Sequence, residues 1–136
     1  MSAITTHGWL FTMVRDESLT SVESVRFLKH LLAQLDRQLL VIWDGSPIHR
    51  GKEVKAYLAD GATKHIHLEA LPPYAPDLNP DEFVWSYMKN NGVSKKPLKK
   101  NESLRRRVEE DLNKIQGDKE LVRSFFRAES VAYASD

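Results

Sequence analysis

The chain has 136 residues, of which 41% are hydrophobic and 29% charged, with a formal net charge of +1 at pH 7. These values are typical of one soluble globular domain, and no apolar run approaches the roughly 18 residues that cross a bilayer, so a membrane protein and a disordered chain are excluded. The absence of cysteine excludes disulfides and thiolate metal sites and favours a cytoplasmic location.

The first part of the chain predicts a β-hairpin followed by a helix. Residues 2–6 and 9–14 are rich in β-branched and aromatic residues, and Gly8 between them supplies the positive φ of a tight turn. Apolar residues at spacings of three and four from 22 to 35 indicate an amphipathic helix, which a threonine or serine at 20–21 can cap.

The middle of the chain alternates strands with helices. The apolar run 39–43 lacks alternation, which favours a central parallel strand that is covered on both faces. Helical spacing over 46–60 ends near Gly61, and residues 66–70 alternate as a strand near a sheet edge. This order predicts an α/β fold with right-handed crossovers.

A proline-rich loop at 71–78 then leads into a helix. Three prolines at 72, 73 and 76 prevent a helix or a central strand from running through it. Asn79 reads as a helix N-cap, Pro80 as the first helical position, and Glu82 lies three residues after the cap.

The rest of the chain predicts helices. The helix after the loop ends near 90–92, a basic tract follows, and apolar spacing indicates a helix over 104–115 and a shorter one over 118–126. We therefore divide a single domain into a core, a basic linker and C-terminal helices, at residues 1–92, 93–101 and 102–127.

Two carboxylates follow neighbouring predicted strands. Asp44 comes directly after the run 39–43, and Glu82 follows the next strand through the proline loop. Because reactive groups in such sheets gather outside the carboxyl ends of parallel strands, we expect Asp44 and Glu82 to lie close together. Paired carboxylates can hold Mg²⁺ for phosphodiester displacement, which usually needs a third carboxylate.

The segment 40–45 with His49, followed by the proline loop, Glu82 and Trp85, resembles the DDE transposase domain of the mariner-like superfamily, in its bacterial insertion-sequence branch. The resemblance runs from about residue 2 to residue 126. It implies a ribonuclease-H-like mixed sheet flanked by helices, metal-dependent DNA cleavage and strand transfer with Mg²⁺ or Mn²⁺, and binding of transposon ends.

On the matched motif, Asp44 corresponds to the second catalytic Asp of that family and Glu82 to its final catalytic Glu, while His49 matches a motif histidine. The family's first catalytic Asp lies on a first, central strand upstream of the segment that residues 2–6 resemble, so the resemblance implies that this strand and its Asp are missing. Asp16 is a weak substitute because it follows the second hairpin strand. Weak or absent metal binding is expected without the first Asp.

Simpler structural roles compete with these. Glu82 can reciprocate the Asn79 cap, and Asp44 can be an ordinary turn residue. His49 is as well explained by a solvent-facing position at a helix start. His65 and His67 alternate on one strand face, but no third metal ligand has matching spacing.

A basic tract is the candidate DNA-binding element. Its phosphate binding would depend strongly on salt, although a solvated linker and helix face, balanced by the acidic residues at 109–111, explains it equally well. The tract consists of Lys95, Lys96, Lys99, Lys100, Arg105, Arg106 and Arg107.

We therefore expect a fragment or split subunit of a transposase catalytic domain that is inactive or very weak alone. An upstream transposase fragment can supply the missing Asp. At the position of the missing strand, either the hairpin and the strand 39–43 close up, or a second chain fills the slot by strand exchange or edge pairing in a homodimer. The alternatives are a non-catalytic DNA-binding or oligomerising regulator and an inert fragment.

Overall fold

The computed structural model describes residues 1–15, 17–92, 100–101 and 103–135, with the side chains of residues 63 and 135 left out. The chain is a mixed α/β protein that divides into two compact units. One unit consists of residues 17–76, and the other joins residues 1–16 to residues 77–136. None of the helices in the described ranges has both the length and the apolar character needed to cross a membrane.

The elements follow the predicted order of two strands, then alternating helices and strands, then helices. The strands are β1 (Ser2–Ile4), β2 (Leu10–Thr12), β3 (Leu39–Trp43) and β4 (Ile66–Ala70). The α-helices are α1 (Ser21–Leu35), α2 (Lys52–Ala59), α3 (Glu82–Asn91), α4 (Leu104–Gln116) and α5 (Lys119–Ser124). Short 3₁₀ helices cover Pro47–His49, Ala62–Lys64, Pro76–Leu78 and Glu129–Ser135.

The predicted hairpin is confirmed. Strands β1 and β2 pair antiparallel, with Ser2 opposite Thr12 and Ile4 opposite Leu10. Gly8 in the turn has φ +93°, and a Cβ there would lie 2.7 Å from the carbonyl oxygen of Lys119. The turn therefore requires glycine both for its backbone conformation and for its close approach to α5.

The unit formed by residues 17–76 contains a parallel strand pair and two helices. Thr20, one of the two predicted cap residues, caps α1, and it forms a capping box with Glu23. Strands β3 and β4 run parallel, with Leu39 opposite Ile66 and Trp43 opposite Ala70, which confirms the predicted parallel pairing.

The prediction that strand β3 is central and covered on both faces is wrong for the described structure. Leu40 is 64% exposed and Ile42 is 36% exposed, while Leu39, Val41 and Trp43 are half-buried. Within the described residues β3 pairs only with β4. Because all five side chains are apolar, the sequence hides the alternation of exposure along the strand.

Helix α2 is shorter than the predicted helix over 46–60. A 3₁₀ turn at Pro47–His49 precedes it, and the α-helix begins only at Lys52, after Gly51. Proline favours such a helix-starting turn, and glycine has a low helix propensity. The predicted terminating glycine is present, since Gly61 has φ +100°.

The described residues of the other unit form an apolar core that the hairpin shares with the later helices. Its buried members come from β2, α3, α4, α5 and the residue after α5. They are Leu10, Val84, Met88, Leu112, Ile115, Val122 and Phe125.

Candidate metal-binding and DNA-binding residues

Asp44 lies directly after strand β3 with its carboxylate half exposed. Its Oδ1 accepts a hydrogen bond from the backbone N–H of Ser46 at 3.0 Å and lies 3.0 Å from Nδ1 of His49. The Ser46 contact is that of an ordinary turn residue. The second oxygen, Oδ2, has no hydrogen-bond partner in the described ranges, so one oxygen is available to a cation.

His49 is not the solvent-facing residue that one alternative predicted. Its side chain is only 14% exposed, and its ring stacks on Trp43 with centroids 4.3 Å apart and planes 3° apart. Stacking fixes the ring plane, so a proton on Nδ1 is directed at Asp44. Nδ1 of His49 is also within hydrogen-bond distance of the backbone carbonyl oxygen of Asp44, at 3.2 Å, so His49 contacts both the main chain and the carboxylate of Asp44. Contacts of this kind help to position a residue that binds a metal ion.

Glu82 is the first residue of helix α3 and its side chain is exposed. Asn79 Oδ1 accepts a hydrogen bond from the Asp81 N–H at 3.1 Å, which is a local turn contact. The N-cap of α3 is Asp81, not Asn79 as predicted, and the helix begins three residues after Asn79. The alternative in which the Glu82 carboxylate reciprocates an Asn79 cap is not observed, because no hydrogen bond of that carboxylate is present among the described residues.

The residue next to Glu82 is part of a hydrogen-bonded network that the sequence does not reveal. Ser2 Oγ donates to Asp81 Oδ2 at 2.6 Å and accepts from Trp85 Nε1 at 3.0 Å. These contacts join strand β1 to the start of α3. Asp81 Oδ1 is buried without a hydrogen-bond partner in the described structure.

The environment of Asp81 raises its pKa from an ordinary 3.8 to about 6. Burial is the largest cause because it disfavours the charged carboxylate, and the hydrogen bond from Ser2 opposes it. We interpreted Asp81 from the sequence as a turn or helix-start residue. The network was missed because Ser2 and Asp81 are 79 positions apart, so no local pattern connects them.

The proline loop presents an exposed aromatic residue. Tyr74 is fully exposed and has φ +57°, a left-handed conformation that is uncommon for a residue other than glycine. The loop then makes a 3₁₀ turn at Pro76–Leu78, as expected of a segment that excludes regular helix and strand.

The donor chemistry of Asp44 and Glu82 fits magnesium, since the Glu82 carboxylate and Oδ2 of Asp44 are oxygen donors with no hydrogen-bond partner among the described residues. No group of three or more His, Asp or Glu side chains that could hold a metal ion exists in the described ranges. The histidine pair is not supported as a metal site, because Nε2 of His67 instead lies 2.6 Å from Oε1 of Glu69.

The basic tract is only partly described. Lys95, Lys96 and Lys99, like Asp16, lie outside the described residues. Lys100 is exposed, whereas Arg105 pairs with Glu109 at 3.1 Å and Arg106 with Glu110 at 3.5 Å along helix α4.

Arg107 departs from the predicted DNA-binding surface. Its side chain is buried, with 9% exposure, because position 107 lies on the inward side of α4. A buried guanidinium does not present its charge to phosphate, so Arg107 is left out of the DNA contacts that we propose.

Comparison with models of protein families gives a match that covers most of the chain. The family model described as DDE superfamily endonuclease matches residues 1–105, which include Asp44, His49, the proline loop and Glu82. Neither the curated proteins nor the solved structures contain a significant match.

Proposed function

The chain belongs to the DDE superfamily of endonucleases, and from this premise we propose that it carries the second and third acidic positions of a transposase triad, at Asp44 and Glu82. The observation that carries the proposal is the extent of the family match, which covers both carboxylates together with the loop between them. A transposase-like nuclease function follows from membership of the superfamily. The assignment to the mariner-like, bacterial insertion-sequence branch rests on the proline-loop motif.

Asp44 and Glu82 would hold Mg²⁺ or Mn²⁺ between them. When bound, such ions stabilise the attacking and leaving oxygens of phosphodiester displacement. His49 contacts the backbone carbonyl and Oδ1 of Asp44, which leaves Oδ2 for the ion, while the first turn of α3 fixes the backbone of Glu82.

We propose that the first carboxylate of the triad comes from outside residues 1–136, because Asp16, the weak substitute within the sequence, follows the second hairpin strand instead of a first, central strand. Two sources could supply this carboxylate. One is an upstream segment in the same reading frame, and the other is a separate product of a split reading frame. In the described structure β1 pairs only with β2, and β3 pairs only with β4. Strands β1 and β3 therefore each have an unpaired edge at which an added strand or a second copy of the chain can pair.

The test compares two polypeptides for nicking of a transposon-end duplex. The first consists of residues 1–136, and the second adds the upstream codons if these encode a strand with an Asp. We expect Mg²⁺-dependent nicking by the extended polypeptide and little or none by residues 1–136 alone. Metal-dependent nicking by residues 1–136 would contradict the claim that an outside carboxylate is required. An inactive extended polypeptide that binds the duplex would contradict the nuclease assignment.

A second candidate is a regulator that occupies transposon ends without cutting them. The basic tract favours it, with Lys100 exposed beside Lys99 in sequence. Metal-independent DNA binding that falls steeply with salt, and weakens when Lys99, Lys100, Arg105 and Arg106 are neutralised, would support this function. If the unmodified protein does not bind DNA even at low salt, it is instead an inert fragment.

A further inference from the structure

The C-terminal 3₁₀ helix contacts the segment of chain that leads into Glu82. This helix, Glu129–Ser135, carries Tyr133, whose hydroxyl donates a hydrogen bond to the carbonyl oxygen of Leu78 at 2.6 Å. The two residues are 55 positions apart in sequence and belong to the same compact unit. The hydrogen bond therefore joins the end of the described chain to the residues just before helix α3.

The hydrogen bond from Tyr133 fixes a peptide group that has no other partner. No second hydrogen bond to the Leu78 carbonyl is present among the described residues. This carbonyl is part of the planar peptide group that enters Asn79, and the carbonyl of Asn79 accepts the backbone N–H of Glu82 at 3.0 Å. The Tyr133 hydroxyl is therefore connected to the backbone of Glu82 through one rigid peptide group and one residue.

The segment that carries Tyr133 is itself held by burial. Val131 is 0% exposed, and Phe126, the second residue after α5, is 7% exposed. The backbone N–H of Val131 also donates to the carbonyl of Ala128 at 3.1 Å. Removing this apolar surface from water stabilises the segment, so the hydroxyl is presented at a defined position.

The position of the Glu82 carboxylate depends on the backbone beneath it. The carboxylate makes no hydrogen bond among the described residues, so the path of the main chain and the first turn of α3 determine where it lies. A residue that binds a metal ion has to be held within about 0.5 Å of its working position. A contact that fixes the chain before Glu82 therefore bears on metal binding.

We propose that the segment 129–135 is a positioning element of the nuclease site. In it Tyr133 is a positioning residue, which acts on Glu82 through the Leu78–Asn79 peptide group. The inference rests on the proposed function, because it adds an element to that same site. The family match ends at residue 105, so membership of the superfamily does not supply this element.

Hydrogen exchange of residues 1–136 tests the contact without a nuclease assay. Tyr133→Phe keeps the ring and removes only the donor. We expect the backbone N–H of Glu82 to exchange about fivefold faster, because a Leu78 carbonyl without its partner loosens the turn that this N–H closes. The N–H of Thr5, which is hydrogen-bonded within the hairpin, should exchange at the wild-type rate.

Nicking by the extended polypeptide tests the role at the site. We expect Tyr133→Phe to need about tenfold more Mg²⁺ for half-maximal nicking, because partners outside the ligand shell typically change metal affinity or activity by about 10–100-fold and this one acts through the backbone. Binding of the transposon-end duplex should be unchanged, since no DNA contact is removed. A higher Mg²⁺ requirement at constant DNA affinity is not expected of a loss of stability alone.

Tyr87→Phe is the matched control. It makes the same chemical change on α3 itself, at an exposed tyrosine whose hydroxyl has no hydrogen-bond partner in the described ranges. Both the exchange rate of the Glu82 N–H and the Mg²⁺ requirement should keep their wild-type values in this variant. Circular dichroism shows whether each variant keeps the fold.

The outcomes separate this inference from the proposed function. Unchanged exchange at Glu82 in Tyr133→Phe would overturn the inference, and so would an equal rise at Thr5, which would show a general loss of stability. Faster exchange with an unchanged Mg²⁺ requirement would also overturn it, because the contact would then stabilise only the fold. If the wild-type extended polypeptide does not nick, the proposed function fails and the positioning role fails with it, whereas exchange still shows whether the contact exists.

Discussion

Replacing Glu82 with Gln, or Asp44 with Asn, is expected to lower metal-dependent nicking by the upstream-extended protein by a factor on the order of 10³. Each change keeps the shape of the side chain but removes the negative charge that binds a divalent ion. Metal ions contribute several kcal/mol of transition-state stabilisation, and each 1.36 kcal/mol corresponds to about a tenfold change in rate. The rate of nicking at saturating DNA is the measurement.

Asp77→Asn is the matched control. Asp77 has an exposed carboxylate and lies five positions before Glu82, in the same compact unit as Glu82. It has no role in the proposed site. The control should nick at the wild-type rate. Wild-type activity of either Glu82→Gln or Asp44→Asn would remove that residue from the catalytic assignment, while equal loss in Asp77→Asn would indicate a general effect of charge on DNA binding.

Replacing Asp81 with Asn is expected to stabilise the protein at pH 7 by up to about 3 kcal/mol. The folded-state pKa of about 6 is above the ordinary 3.8, and each pH unit of difference corresponds to about 1.4 kcal/mol. Folding therefore favours the protonated carboxyl. Its stabilising contribution is present below pH 3.8, falls as pH rises towards 6, and is absent above that pH.

Asparagine resembles the protonated form of Asp81, so the variant should not lose stability as the pH rises through 6. The measurement is the free energy of unfolding by urea for both proteins between pH 4 and pH 8, and the result is their difference at each pH. We expect that difference to be small near pH 4 and to grow until about pH 6. A variant that is less stable than the wild type at pH 7, or a difference that does not change with pH, would contradict the buried acid. Asp77→Asn, with an exposed carboxylate, serves again as the control.

The order of the elements could be predicted from sequence because local signals determine it. Gly8 in the hairpin turn, the Thr20 cap of α1 and Gly61 after α2 each fix a turn or a helix end through short-range chemistry. Such signals do not depend on what the element packs against, so the structure contains them as predicted.

Exposure and long-range contacts could not be predicted in this way. The exposure of Leu40 and Ile42 depends on how many strands pair with β3, and the run of apolar residues does not encode that number. The Ser2–Asp81–Trp85 network depends on the contact between strand β1 and the first turn of α3, which are far apart in sequence. The burial of Arg107 depends on which side of α4 packs inward. The sequence suggested an exposed position instead, because Arg107 belongs to a basic tract.

The candidate site was predicted in part. The sequence indicated Asp44, His49 and Glu82 through a motif resemblance, and the structure shows the contact that connects the first two, from His49 Nδ1 to Asp44 Oδ1. That the carboxylate of Glu82 joins them remains a prediction. It depends on long-range packing between residues far apart in sequence.

The most direct test of this convergence is thiol crosslinking of an Asp44→Cys/Glu82→Cys variant. The chain has no cysteine of its own, so every crosslink reports the two engineered positions. A Leu40→Cys/His67→Cys variant is the positive control, because these exposed residues are direct partners in the β3–β4 register. We expect the shortest bifunctional thiol reagent to close an intramolecular crosslink in both variants, and urea to abolish it. No crosslink between positions 44 and 82, under conditions in which the control pair reacts fully, would contradict a shared metal site.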